Sequence, residues 1–228
     1  MSTIHPISCL FALIRFLAFV AAALPSAAFC QDSGCTPQAV SSTAIEYPAV
    51  KISVGQKLDF VAYARQGAFG QAVREDFWIT IREIWNGGVS FGYELVGEAT
   101  GNMTVQGIQN LSSLDECTSL DPWWEVGEND FDNRCEIWIS RRMFMELITT
   151  GKTWLAVDTL ARNDSIVRWE LVDRNQFLTH IKGRPVLLSV LRVKTSRDDE
   201  FAILDDPDNP LILSAKSTYF SWSLDKIE

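Results

Sequence analysis

The chain has 228 residues, of which 47% are apolar, and 29 acidic against 20 basic side chains give a formal net charge of -9. That apolar content excludes an intrinsically disordered chain. The acid excess, with Lys and Arg scattered rather than clustered, excludes a phosphate-tracking nucleic-acid groove.

The N-terminal stretch differs from the rest. Residues 1–31 carry no Asp or Glu, and Arg15 is followed by the apolar run Phe16–Leu24 and then by Pro25-Ser-Ala-Ala28. A basic flank, a short apolar run and small residues at Ser26 and Ala28 describe a secretory signal peptide over residues 1–28. The run is too short for the roughly 20 residues that a membrane helix needs, so no span is expected after cleavage. Lipidation at Cys30 is disfavoured because Phe29 stands where a small residue is wanted. Export, to a periplasm or to the exterior, is the expected localisation. Residues 29–50 read as a flexible arm and 51–228 as a single β-rich domain.

The clearest predicted element is a hairpin. Phe77, Ile79 and Ile81 alternate with Thr80 and Arg82, Asn86-Gly87-Gly88 supplies turn residues, and Val89, Phe91, Tyr93 and Leu95 alternate on the return. Period-two alternation puts one face on a core and leaves the other wet.

Cys117 and Cys135 bracket a polar loop that contains Trp123 and Trp124. In an oxidising compartment such a pair is most simply a disulfide, with Cys30 and Cys35 as a second candidate pair. The cysteines lack CxxC spacing and His180 is the one histidine after the leader, so no metal site is expected. Neighbouring residues of an extended segment face opposite ways, so Trp123 or Trp124 could present an indole to a ligand. The remaining tryptophans fall within predicted strands and read as core.

Cys135–Ile139 reads as a strand. Ser140 is a plausible N-cap for a helix over 141–148, with Phe144, Leu147 and Ile148 as its apolar stripe and Gly151 as its stop. Residues 152–160 and 165–172 read as a hairpin. Strands at 185–193, 201–204, 211–213 and 218–224 follow, with a turn at Asp205-Asp-Pro-Asp-Asn-Pro210. Eight to ten antiparallel strands, one short helix and no βαβ rhythm predict a mainly β fold. The expected architecture is an antiparallel curled sheet, half-barrel or sandwich, and α+β at most.

The segment ISRRMFMELITTGKTWLAVD and the tail LDDPDNPLILSAKSTYFSWSLDKI are similar to the closing part of uncharacterised bacterial exported β-domains, some of which precede an OmpA-like peptidoglycan-binding domain. The resemblance covers about residues 135–228. An OmpA-like segment is not expected in this chain, so the resemblance implies an envelope β-domain without an assigned reaction.

A search for chemistry finds no catalytic set. His180 has no G-x-S-x-G serine to serve. Asp32-Ser33-Gly34 spells an aspartic-peptidase triplet without a strand before it, and reads as a chance match. Asp198-Asp-Glu200 and the carboxylates of 205–210 read as turns rather than calcium ligands. The loop acids Asp121, Glu125, Glu128, Asp130 and Asp132 are the material for a hydrolase alternative, for which spacing gives no support. The expected function is a non-catalytic exported cell-envelope domain that binds a partner protein or an apolar ligand, without cofactor. A purely structural assembly subunit is the other alternative.

Overall fold

The computed structural model describes residues 45–46, 50–65, 72–97, 101–120, 127–130, 133–157, 165–217 and 220–228. They build strands β1 (Ile45–Glu46), β2 (Lys57–Arg65), β3 (Ala72–Trp85), β4 (Gly88–Gly97) and β5 (Gly101–Asn110), then helix α1 (Leu111–Glu116). Three short strands follow, β6 (Ser119–Leu120), β7 (Gly127–Asp130) and β8 (Arg134–Cys135), and then helix α2 (Arg141–Thr150). The chain closes with β9 (Lys152–Val157), β10 (Ser165–Ile181), β11 (Arg184–Thr195), β12 (Glu200–Leu204), β13 (Ile212–Lys216) and β14 (Phe220–Ile227). The fold is mainly β with a little helix.

All described strands belong to one sheet, in the order β7-β5-β4-β3-β2-β14-β13-β12-β11-β10-β9-β6-β8, with β1 paired to β11. The long neighbours are antiparallel, so β2–β5 and β9–β14 form two meanders joined by the β14–β2 ladder. The sheet curls: the end of β14 also meets the end of β10, His180 opposite Lys226 and Ile181 opposite Ile227.

The alternating hairpin forms as its sequence dictates. Phe77, Ile79 and Ile81 are buried, as are Val89, Phe91, Tyr93 and Leu95. Gly88 is required where it stands. Its φ is +151°, and a Cβ there would lie 2.5 Å from the Gln109 carbonyl oxygen and 2.8 Å from Asn110 Cα. Helix α2 is also as expected: the Ser140 side chain accepts from the Met143 N–H at 3.3 Å. Gly151, at φ 76°, closes it by donating to the Leu147 carbonyl.

Strand β11 switches its buried face at Val190–Leu191, and β12 and the start of β13 are covered on both faces. Val186, Leu188 and Val190 join a core with Phe60, Phe77, Phe91 and Trp138. Leu191 and Val193, of opposite parity, point the other way, into a second core with Met143, Phe144 and Leu147 of α2. Ile203 and Ile212 share that second core, while Leu204 and Leu213 join the first. A strand with two buried faces needs apolar residues at successive positions, which explains Ala202-Ile-Leu204 and Leu211-Ile-Leu213.

The structure departs from the sequence reading at several points. The extra strands are mostly short, and some pair in parallel, as β5 with β7 and β6 with β8 and β9. A second helix, α1, is capped by the Asn110 side chain, which accepts from the Ser113 N–H at 3.0 Å. Cys135–Ile139 is not a full strand: after β8 the chain bends at Glu136 and Ile137 and then makes a single bridge, Trp138 to Leu211. Finally, β10 continues past residue 172 to Ile181, with an irregularity between Leu171 and Asp173 that lets it bend.

Candidate ligand-binding cleft

A disulfide joins two segments of the chain that contribute to the site. Cys117 and Cys135 are bonded, with Cα atoms 5.7 Å apart, and both are fully buried against α2, where Cys117 Sγ lies 3.7 Å from Met143 Sδ. The bridge ties the end of α1 to the segment that carries Trp138.

A cleft of about 780 Å³ opens where the β3–β4 turn, α1 and the Asp205–Pro210 loop converge. Its floor is apolar and buried: Val50 (5% exposed), Val89 (6%) and Trp138 (4%). Its rim carries Ile84, Trp85 and Leu111, which stay 47%, 44% and 48% exposed. Exposed apolar side chains contiguous with an apolar depression mark binding surfaces more often than isolated ones do.

Local chemistry puts Trp85 there. An irregularity between Ile81 and Glu83 adds a residue to β3, so Trp85 stands at the hairpin end, opposite Gly88. Its indole lies over the turn, and a Cβ on Gly87 would fall 2.5 Å from Nε1. The Gly87 carbonyl accepts from the Leu111 N–H, which fixes α1 beside the hairpin. The reading of Trp85 as core is therefore corrected. So is that of Trp154, 55% exposed on β9, whereas Trp138 and Trp169 are core.

The opposite wall is the loop that the sequence reads as a simple turn. Asn209 orders it: its Oδ1 accepts from Trp138 Nε1 at 2.9 Å and its Nδ2 donates to the Val50 carbonyl at 2.7 Å. Ion pairs fix the flanks, Arg141 to Asp208 and Arg174 to Asp205, each 2.9 Å. The Asp206 side chain accepts from the Asp208 N–H. Asp198 and Asp199 belong to the tight turn between β11 and β12, and Glu200 opens β12: Lys194 pairs with Asp198 at 3.0 Å and Thr195 donates to Asp199. Among the described residues, no group of three His, Cys, Asp or Glu side chains could hold a metal ion.

A separate buried group escapes sequence reasoning. Glu75 on β3 and Glu136 beside the disulfide are buried near Tyr93. Burial, and then the Glu136 and Glu75 carboxylates, hold the Tyr93 phenol well above its usual range. A folded-state pKa above the unfolded one gives stability that is complete below about pH 10 and lost as pH rises further. Tyr93→Phe should therefore remove part of the loss of unfolding free energy that the wild type shows in alkali, as read by urea denaturation at successive pH values. Equal alkaline slopes in both proteins would exclude this cost. None of the three residues lines the cleft.

Trp123, Trp124, Cys30, Cys35 and the leader lie outside the described residues, as do Asp121, Glu125 and Asp132. Glu128 and Asp130 fall on β7, which pairs with β5. His180 is exposed at the end of β10, opposite Pro185. No helix among the described residues is long and apolar enough to cross a membrane.

Comparison with protein-family models finds no match, and comparison with curated proteins finds none. Among solved structures, the chain is similar to an exported protein with a YmcC-like fold from Bacteroides fragilis. The two share 8% identity over 77% of this chain and 96% of that one, with a TM-score of 0.34.

Proposed function

We propose that the chain is a non-catalytic exported β-domain that binds an apolar ligand or an apolar segment of a partner protein in the cleft between the β3–β4 turn and the Asp205–Pro210 loop. The observation that carries this reading is the exposed trio Ile84, Trp85 and Leu111 above a buried apolar floor. Half-exposed apolar side chains at a concave site gain by burial, at about 25 cal/mol per Å² removed from water. Export is supported by the signal-like leader and by a Cys117–Cys135 bridge, which persists in oxidising compartments. Against a hydrolase, Asp205 and Asp208 at the cleft are engaged by Arg174 and Arg141 rather than left to serve as acid or base.

Titration with the neutral dye Nile red tests the reading by fluorescence. Wild-type protein should show saturable enhancement, and Ile84→Ser with Trp85→Ala should weaken it by about tenfold or more, as loss of an aromatic anchor does. Equal binding by the double variant would remove the cleft from the account.

A further inference from the structure

Resting on that reading, we infer that the occupant of the cleft is a protein segment presenting an aliphatic or aromatic side chain beside a Lys or Arg, rather than a lipid. The apolar floor accepts the uncharged part. The rim selects the sign of the neighbouring charge. Four aspartates border the cleft, Asp115, Asp205, Asp206 and Asp208, against Lys51 and Arg141.

Arg141 is held by Asp208, and Asp205 is held by Arg174 from β10. That leaves Asp115 and Asp206 without an ion-pair partner among the described residues, against Lys51 as the one unpaired cation that borders the cleft there. The rim is thus net acidic, within a chain of net charge -9. The half-exposed Trp85 indole adds a face that attracts cations through its quadrupole. A fatty acid or an anionic phospholipid would bring its negative head to this rim and be repelled. A basic, apolar peptide meets attraction at both parts, and complementary charge of this kind sets partner choice and encounter rate.

The test uses protein purified from cells expressing the full chain and four probes in calorimetry: the amidated peptide (Lys-Leu)3, its counterpart (Glu-Leu)3, monomeric dodecyl maltoside and dodecanoate. The basic peptide should bind about tenfold or more tighter than the acidic one, and should weaken as salt rises from about 0.05 to about 0.5 M. Asp115→Asn with Asp206→Asn should cost the basic peptide about three- to fivefold and leave dodecyl maltoside unchanged. Trp85→Ala should weaken both. Asp115 is exposed and Asp206 half-buried, and matching thermal unfolding curves will show that the variant is folded.

Equal affinity for the two peptides, preference for dodecanoate, or indifference to the double asparagine variant would overturn the inference. If dodecyl maltoside still bound and still required Trp85, the apolar-binding reading would survive that failure. Silence from every probe would overturn both.

Discussion

Trp169→Ala should lower the free energy of unfolding by about 3–5 kcal/mol, the range for truncating a fully buried large aromatic. Trp169 is 0% exposed on β10 and stacks on Phe201 of β12, with ring centroids 4.3 Å apart and planes 22° from parallel. It sits in the core under α2, with Leu155, Leu191 and Val193, where little can collapse into the gap. Its Nε1–H has no acceptor among the described residues. A buried donor left unpaired is itself a cost, so Trp169→Phe should lose far less than Trp169→Ala. Urea denaturation of the three proteins measures this. A loss below about 1 kcal/mol for the alanine variant would mean that α2 and β10 do not share a packed core.

Removing the disulfide is the second large effect. Cys117→Ser with Cys135→Ser should destabilise the fold by about 3 kcal/mol, because the bridge closes a loop whose ends are 18 residues apart. For a domain of this size, that corresponds to a melting temperature lower by roughly 6–12 °C. Both cysteines are buried, and the bridge joins the end of α1 to the chain leading through Trp138 into α2. The loss should therefore reach the cleft, and Nile red affinity should fall along with stability. Scanning calorimetry with and without reductant checks the first part, since reductant should bring the wild type to the melting point of the variant. An unchanged melting temperature in the serine variant would show that packing of α2 alone fixes the two ends.

How much of this was legible in the sequence differs by element for physical reasons. The β3–β4 hairpin is legible because one of its faces is wet, so Phe77, Ile79 and Ile81 alternate with Thr80 and Arg82 and Asn86-Gly87-Gly88 marks the turn. Helix α2 carried its own signals in Ser140, the Phe144–Leu147 stripe and Gly151. Helix α1 did not, since Leu111–Glu116 is one and a half turns with a single buried residue, Ser113, too short for an apolar stripe. Cys135–Ile139 reads as a strand because four of its five residues are apolar. Its sides are buried in different cores, Trp138 in one and Ile139 in the other, rather than aligned along a ladder.

The cleft was the least legible part. Val50, Trp85, Leu111, Trp138 and Asp206 come from distant parts of the chain, and only the curled sheet brings them together. Their spacing contains no motif. The sequence reads Trp85 as core because a strand tryptophan usually is, and the added residue near Arg82 that places it at the hairpin end leaves no mark in a sequence. Asn209 was hidden for the same reason: in sequence it is a turn residue between two prolines, and in the fold it joins the loop to both Trp138 and Val50.

The most direct measurement for the central claim is photolabelling with a small neutral alkyl diazirine, followed by peptide mapping of the labelled sites. The account predicts that modification concentrates at the β3–β4 turn around Ile84 and Trp85, at Leu111 of α1 and along 205–210, and that it is lost in the Ile84→Ser, Trp85→Ala double variant. Labelling centred instead on β9 and β10, at the exposed Trp154 and Ile166, would contradict it and move the binding surface to those strands.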